Sequence, residues 1–377
     1  MMAASCSAAS TGEKQVAQSF DPNPFQIEEM GQFEKPWSIT FDEGTGAIFV
    51  TEKKGHIKFI QPNGKLGTVT GIPTVDYGGQ AGLGDFVFAP GQTQSAPDDR
   101  IIYLSWAEAG VNDTRGAAVG RANMVCVEHS SCELRDLEVV WRQQPKVSGR
   151  GHFSHRLAFS PNGEHLFVAS GDRQKRDPAQ DNSNNLGTIV RLLPDGHAAP
   201  GNPLKSKTAP SNQIWSWGHR NILGLAFDSS GRLWDLEHGP AGGDELNLVS
   251  KGKNYGWPVV SNGRHYSGKA IPDHSTRPDL NGPAVSWNPV IAPGDMIFYS
   301  GTLFADWQGD ALIAAMKPAA LVRVRIAEDN SAREVARYRM DHRIRAIAQA
   351  ADGAVWVVED GKNLDRSRLL RLTPRAD

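Results

Sequence analysis

Six times along the chain a turn signal hands over to a short apolar run that ends in a charged or glycine-containing turn. The runs are Ala47-Ile48-Phe49-Val50, Ile101-Ile102-Tyr103-Leu104 and His165-Leu166-Phe167-Val168, followed by Leu233-Trp234, Ala311-Leu312-Ile313-Ala314 and Ala354-Val355-Trp356-Val357. Their β-branched and aromatic residues suit strand interiors. Several lead into a second alternating strand, as in Ile57-Lys58-Phe59-Ile60, Ile189-Val190-Arg191-Leu192, Leu321-Val322-Arg323-Val324 and Leu369-Leu370-Arg371-Leu372. The repeats start roughly 40 to 80 residues apart, at or above the usual length of a propeller blade. No long helical periodicity intervenes. The pattern predicts an all-β fold, a six-bladed β-propeller with long inserted loops. A pair of β-sandwiches is the alternative, and six similar units argue against it.

With 377 residues, 39 Gly and 23 Pro, the chain has the length and turn content for one large domain of short strands. Residues 19–377 are read as that single catalytic domain. The stretch 1–18 is small, polar and aperiodic, a remnant of signal removal or of cloning. Within it, Ala3-Ala4-Ser5-Cys6 reads either as a bacterial lipoprotein cleavage site with a lipid anchor at Cys6, or as a stray cysteine. A net charge of −2 gives no sign of a nucleic-acid or anionic-membrane partner. No apolar run is long enough to span a membrane. Cys126 and Cys132 flank a hairpin tip; a disulfide there would fit an oxidising compartment, and two free thiols are the alternative.

If the repeated strands are equivalent, the turns after them gather at one end of a central channel, where a propeller places its ligand. Those turns read Thr51-Glu52-Lys53, Ser105-Trp106-Ala107-Glu108, Gly171-Asp172-Arg173, Glu237-His238-Gly239-Pro240, Met316-Lys317-Pro318 and Glu359-Asp360-Gly361. Arg220 and Asn221 bring a guanidinium fork and an amide to the start of Gly224-Leu225-Ala226-Phe227. An arginine pairing with the neighbouring blade explains them equally well. Residues 237–245 combine small residues and exposed carbonyls with the two carboxylates Asp244 and Glu245 that follow them, a set suited to Ca²⁺, or simply an acidic surface loop. Antiparallel return sets Asp172 near His152, a base with an orienting carboxylate, although His155 leaves the choice of imidazole open. Arg343 and Arg345 share one face if they lie on a strand, a pattern that Arg323 and Arg325 also show.

The chain resembles the soluble pyrroloquinoline quinone (PQQ)-dependent sugar dehydrogenases, in their bacterial aldose sugar dehydrogenase branch, from about Trp37 to Pro374. The resemblance is densest in Ser216-Trp217-Gly218-His219-Arg220-Asn221, Glu237-His238-Gly239-Pro240, Gly242-Gly243-Asp244-Glu245-Leu246-Asn247-Leu248 and Gly252-Lys253-Asn254-Tyr255-Gly256-Trp257-Pro258. It implies a six-bladed propeller that oxidises aldoses at C1 with PQQ and Ca²⁺ and passes electrons to an external acceptor. It implies His152 as general base, oriented by Asp172, with Gln80 lining the pocket. Arg220 would stabilise charge on the quinone oxygen. Arg220, Asn221, Lys317, Arg343, Arg345 and Asp244 would be cofactor ligands. Gly239 and Pro240 would give carbonyls to the catalytic Ca²⁺, and Glu245 and Tyr255 would form a second calcium site. It also implies a periplasmic or secreted protein, monomeric or homodimeric. The chain departs from the family at His155, where glycine is usual, at Ala241, and in the looser Gly82-Leu83-Gly84-Asp85; these bear on substrate preference. The rival readings are a non-enzymatic binding propeller and a Ca²⁺-dependent lactonase, and the cationic residues weigh against both.

Overall fold

The computed structural model describes residues 19–92, 100–127, 131–362 and 366–375, and Cys6 with the rest of 1–18 lies outside them. β1 (Phe25–Phe33) pairs with the far end of the chain. β2 (Pro36–Phe41), β3 (Ile48–Glu52), β4 (His56–Ile60) and β5 (Leu66–Thr70) form an antiparallel meander. So do β6 (Leu83–Phe88), β7 (Arg100–Ala109), β8 (Arg115–Val127) and β9 (Ser131–Arg142); parallel pairing of β5 with β9 fuses the two into one eight-stranded sheet. Three four-stranded sheets follow. They are β10 (Ser154–Phe159), β11 (Leu166–Ser170), β12 (Thr188–Leu192) and β13 (Ile214–Trp217); then β14 (Ile222–Phe227), β15 (Leu233–Glu237), β16 (Asp244–Leu248) and β17 (Val285–Trp287); then β18 (Pro293–Phe298), β19 (Ala311–Ala315), β20 (Ala320–Ile326) and β21 (Ala332–Arg339). The last sheet joins β22 (Ile344–Gln349), β23 (Val355–Glu359) and β24 (Ser367–Pro374) to β1, with Phe25 opposite Pro374.

The strands β2, β6, β10, β14, β18 and β22 touch one another in that cyclic order, and β22 returns to β2. The all-β architecture is therefore that of sheets arranged around an axis, as in a propeller. The apolar runs that repeat in the sequence are β3, β7, β11, β15, β19 and β23, the second strand of each meander. Every residue of β3, β11, β15, β19 and β23 is buried, because sheets pack on both of their faces. Burial on both faces replaces alternation with a continuous apolar run. In one such layer Trp234 and Leu236 of β15 meet Met296 of β18 and Ile313 of β19.

The first strand of each meander carries a register shift close to its start, between Pro36/Ile39, Leu83/Phe86, Ser154/Leu157, Ile222/Gly224, Pro293/Asp295 and Ile344/Ala346. Such bulges bend a strand and re-aim its side chains. All six lie at the same end as the turns that follow the second strands, so this end collects the candidate site. Cys126 and Cys132 are bonded and stand directly opposite each other across β8 and β9, as the hairpin reading expected. Among the described residues no helix is long and apolar enough to cross a membrane.

Candidate active site

Gly151 to His155 leads into β10 along an unusual backbone: His152, Ser154 and His155 have φ of 50°, 65° and 75°. Non-glycine residues rarely adopt this region, and surrounding contacts must hold them there. Arg173 supplies several of those contacts. Its guanidinium donates to the carbonyls of Gly151 (2.8 Å) and Arg115 (2.6 Å) and lies 3.6 Å from the Phe153 ring centroid. The His152 amide donates to Gln80 Oε1 at 2.7 Å.

His152 Nδ1 stands 2.6 Å from Asp172 Oδ1, across the β10–β11 return that the sequence suggested. Asp172 also accepts from the amide of Gln174 (2.8 Å) and from Trp257 Nε1 (2.8 Å). Burial favours its neutral form, yet the bond to His152 and the nearby Arg220 hold it below the usual carboxylate range. An ionised Asp172 accepts a hydrogen bond from Nδ1–H, the tautomer that leaves the His152 Nε2 lone pair free. Burial, aided by Arg220 and opposed by Asp172, pushes the His152 pKa down, so the imidazole is neutral near pH 7.

The second imidazole is a different object. His155 is buried, stacked on Phe153 at 5.3 Å and edge-on to Trp37 at 5.8 Å, with neither ring nitrogen hydrogen-bonded. Burial, then Arg173, Lys53 and Arg156, drive its pKa to about 3.

Arg220 and Asn221 sit where β14 begins. Glu237 at the end of β15 accepts from both backbone amides, at 2.6 and 3.3 Å, and fixes that turn. Glu237 is held in turn by His219, whose Nδ1 is 3.2 Å from it and whose Nε2 is 2.9 Å from Ser216 Oγ. His219, Asp235 and Glu237 form a wholly buried trio. Burial opposes charge on His219, but the two carboxylates outweigh it and raise its pKa. The Arg220 guanidinium donates to the His238 carbonyl at 3.0 Å, lies 5.2 Å from the Trp257 ring centroid, and leaves Nε buried without a partner.

Two spaces open among these groups. The larger, about 530 Å³, is of ligand size and is lined among others by Gln80, Asn221, His238, Arg343, Arg345 and Asp360. Arg343 and Arg345 converge on Asp360, donating to Oδ2 at 2.7 Å and Oδ1 at 2.9 Å. The smaller space, about 10 Å³, has room for one ion or water and is lined in part by Arg220, Gly239, Glu245 and Tyr255. Burial and the neighbouring Glu237 raise the Glu245 carboxyl well above its usual range. The Tyr255 hydroxyl is committed to the Leu248 carbonyl (2.6 Å) and the Ser250 amide (2.8 Å).

His152, Asp172, Asp244, Pro240 and Lys317 line neither space. His152 borders the larger one through Gln80 and Phe153. Asp244 accepts from the amides of Gly239 (2.9 Å) and Ala292 (2.6 Å), and burial lifts its carboxyl to about 6; it shapes the Gly239-Pro240 turn. Lys317 is exposed beside Met316, which lines the larger cavity. Sequence reasoning assigned no role to Asp360, Trp257, Arg173 or Lys53. The Glu359-Asp360-Gly361 turn, equivalent by repeat to the Asp172 turn, was the available signal for Asp360.

Residues 33–371 match the family described as Glucose / Sorbosone dehydrogenase. The chain belongs to this family. Aldose sugar dehydrogenase YliI of Escherichia coli (strain K12) is 34% identical over 350 residues, covering 91% of this chain and 91% of that one. Quinoprotein glucose dehydrogenase B of Acinetobacter calcoaceticus is 27% identical over 294 residues, covering 72% of this chain and 59% of that one. The crystal structure of the soluble aldose sugar dehydrogenase from Escherichia coli in the apo-form superposes with a TM-score of 0.83 at 33% identity, covering 93% of this chain and 100% of that one. Family membership agrees with the resemblance carried by the Trp217–Trp257 motifs.

The residues present suit both groups that the resemblance implies. A planar polycarboxylate would meet the Arg343–Arg345 wall and Asn221 of the larger cavity, with Arg220 lining the smaller space beside them. A hard cation would meet the buried carboxylate of Glu245, which has only His274 Nδ1, 3.7 Å away, as an ion-pair partner among the described residues.

Proposed function

We propose that the protein is a PQQ- and Ca²⁺-dependent aldose dehydrogenase built on a six-bladed propeller, oxidising the sugar C1 hydroxyl to the lactone. The observation that carries this reading is the His152–Asp172 pair, with a neutral Nε2 beside a cavity walled by arginines. The names of the Escherichia coli and Acinetobacter relatives support the substrate class and the quinone.

Arg343, Arg345, Lys317 and Asn221 would hold the cofactor carboxylates and ring edge, with Arg220 donating where charge develops on a quinone oxygen. The Gly239 and Pro240 carbonyls, in a turn shaped by Asp244, would ligate the catalytic Ca²⁺. Glu245 and the Tyr255 carbonyl would take the second ion. When bound, PQQ polarised by Ca²⁺ supplies the acceptor for the hydride that leaves sugar C1. His152 Nε2 takes the proton of the C1 hydroxyl as that hydride departs, and the C1 carbonyl of the lactone forms. Asp172 keeps the proton on Nδ1 and stabilises the imidazolium. Gln80 holds the His152 amide and fixes the ring's position. Electrons then pass to an external acceptor. The Cys126–Cys132 disulfide supports a periplasmic or exported location.

Incubating the purified protein with PQQ and Ca²⁺, then adding aldoses and an artificial dye, tests this. Dye reduction should require both additions. A folded protein that reduces no dye with any common aldose would instead be a binding propeller.

A further inference from the structure

The functional reading accounts for only part of the positive charge around the cavity. Arg220, Lys317, Arg343 and Arg345 are assigned to a ligand with three carboxylates, and Asp360 already offsets one of the two arginines it binds. Of that set, Arg343, Arg345 and Asp360 line the larger cavity, whereas Arg220 lines the smaller space and Lys317 neither. Lys35, Lys53 and Lys362 line the same cavity, and with Arg343 and Arg345 they outnumber Asp360 and the three cofactor carboxylates together, an excess to which a bound Ca²⁺ would only add.

Lys53 is the best placed of the three. It follows β3, is half-buried, and donates from Nζ to the Gly79 carbonyl at 2.7 Å, which leaves two N–H groups available. Its ammonium stands 6.0 Å from the ring centroid of Tyr77, an exposed aromatic that also lines the cavity and offers a flat apolar surface. The adjacent acidic residues are engaged elsewhere, Glu34 with Lys54 and Glu52 with Lys58. Among the described residues, no carboxylate forms an ion pair with Lys35 or Lys53. Unpaired cations turned toward a ligand-sized cavity select for negative charge in what enters it.

Resting on the proposed function, we infer that Lys53, with Lys35 beside it, reads a negative charge on the substrate, and that the preferred substrate is an anionic aldose. A hexuronate and an aldose 6-phosphate both carry the required charge away from C1. The groups facing Lys53 are Arg345 from the start of β22, Asp360 after β23, Lys35 before β2, the neutral His155 of β10, and Tyr77 and the Gly79 carbonyl before β6. Burial first, then Arg345 and Lys35, lower the Lys53 pKa to about 8 against the pull of Asp360. The lysine is therefore charged below that pH and neutral above it, so selection for anions fades as pH rises through about 8.

The test compares kcat/KM for glucuronate, glucose 6-phosphate and glucose, with the PQQ- and Ca²⁺-reconstituted protein at pH 7 and low salt. At least one anionic sugar should exceed glucose by roughly tenfold, the effect expected of one half-buried charge pair. Which of the two does so separates carboxylate from phosphate as the charge that is read. The anionic-to-neutral ratio should fall about tenfold in Lys53→Gln, persist in Lys53→Arg, and shrink with added salt. Glucose matching or exceeding both anionic sugars would overturn the inference while leaving the functional reading standing, as would a ratio unmoved by Lys53→Gln. If PQQ binds, by its absorbance, and no sugar of either kind reduces the dye, the functional reading fails and the inference falls with it.

Discussion

His152 is held at a φ of 50°, a conformation that costs about 1–3 kcal/mol and persists only where its surroundings impose it. Arg173 and Gln80 impose it here, and the result is an imidazole aligned with Asp172. Because burial pushes the His152 pKa below 6.5, the proposed base is unprotonated at neutral pH. The acid limb of kcat/KM should therefore lie below pH 6.5, with a plateau through neutrality. Asp172 is what opposes that downward shift, so Asp172→Asn should move the limb to still lower pH and slow turnover. A pH–rate profile of both forms checks this, and a limb above 6.5 would count against the assignment. His155, with its pKa near 3, stays neutral and has no bonded nitrogen. His155→Phe keeps the stack on Phe153 and should retain activity within about tenfold; a loss of ~100-fold or more would make His155 the base. At this scale the sequence exposed residue types and one pairing, His152 with Asp172, since a single antiparallel return joins them. The residues alone left the two imidazoles undecided, because burial and ring contacts separate them, and only the family resemblance pointed to His152. Trp257 reaches Asp172 from the loop between β16 and β17, a contact that no local spacing encodes.

At the scale of elements, the second strands were legible because packing on both faces leaves them mostly apolar, with Asp235 inside β15 and polar residues at the ends of β3, β11, β15 and β23 as interruptions. Their equivalence also located the turns that carry Asp172, His238 and Asp360. The bulges that open each first strand were not legible, since a register shift is a property of paired backbones. Neither was the fusion of β5 with β9, nor the pairing of β1 with β24, which joins the two ends of the chain. Leu236 in the middle of β15 is fully buried between sheets, immediately before Glu237, which fixes the Arg220-Asn221 turn. Leu236→Ala should cost about 2–5 kcal/mol in urea unfolding. A cost below ~1 kcal/mol would mean that this layer is not the packed core described.

For the whole molecule, the cyclic order of first strands places one end of every sheet around a shared axis, and residues far apart in the chain meet there. Gln80, Asn221 and Arg345 line a single cavity although they belong to three different sheets or the loops before them. The family resemblance reached these residues one by one, whereas geometry divides them. Gln80, Asn221, Arg343 and Arg345 face the larger space; Gly239, Glu245 and Tyr255 face the ion-sized one; Asp244 buttresses the turn between. In the proposed reaction, His152 removes a proton from a sugar at this cavity while a bound quinone takes the hydride. Stopped-flow absorbance of the PQQ- and Ca²⁺-reconstituted protein, mixed with aldose in the absence of dye, measures that step alone. Rapid cofactor reduction is expected in the native protein, slowed about 100- to 10,000-fold in His152→Ala with PQQ still bound. Equal reduction rates in the two proteins would contradict the account.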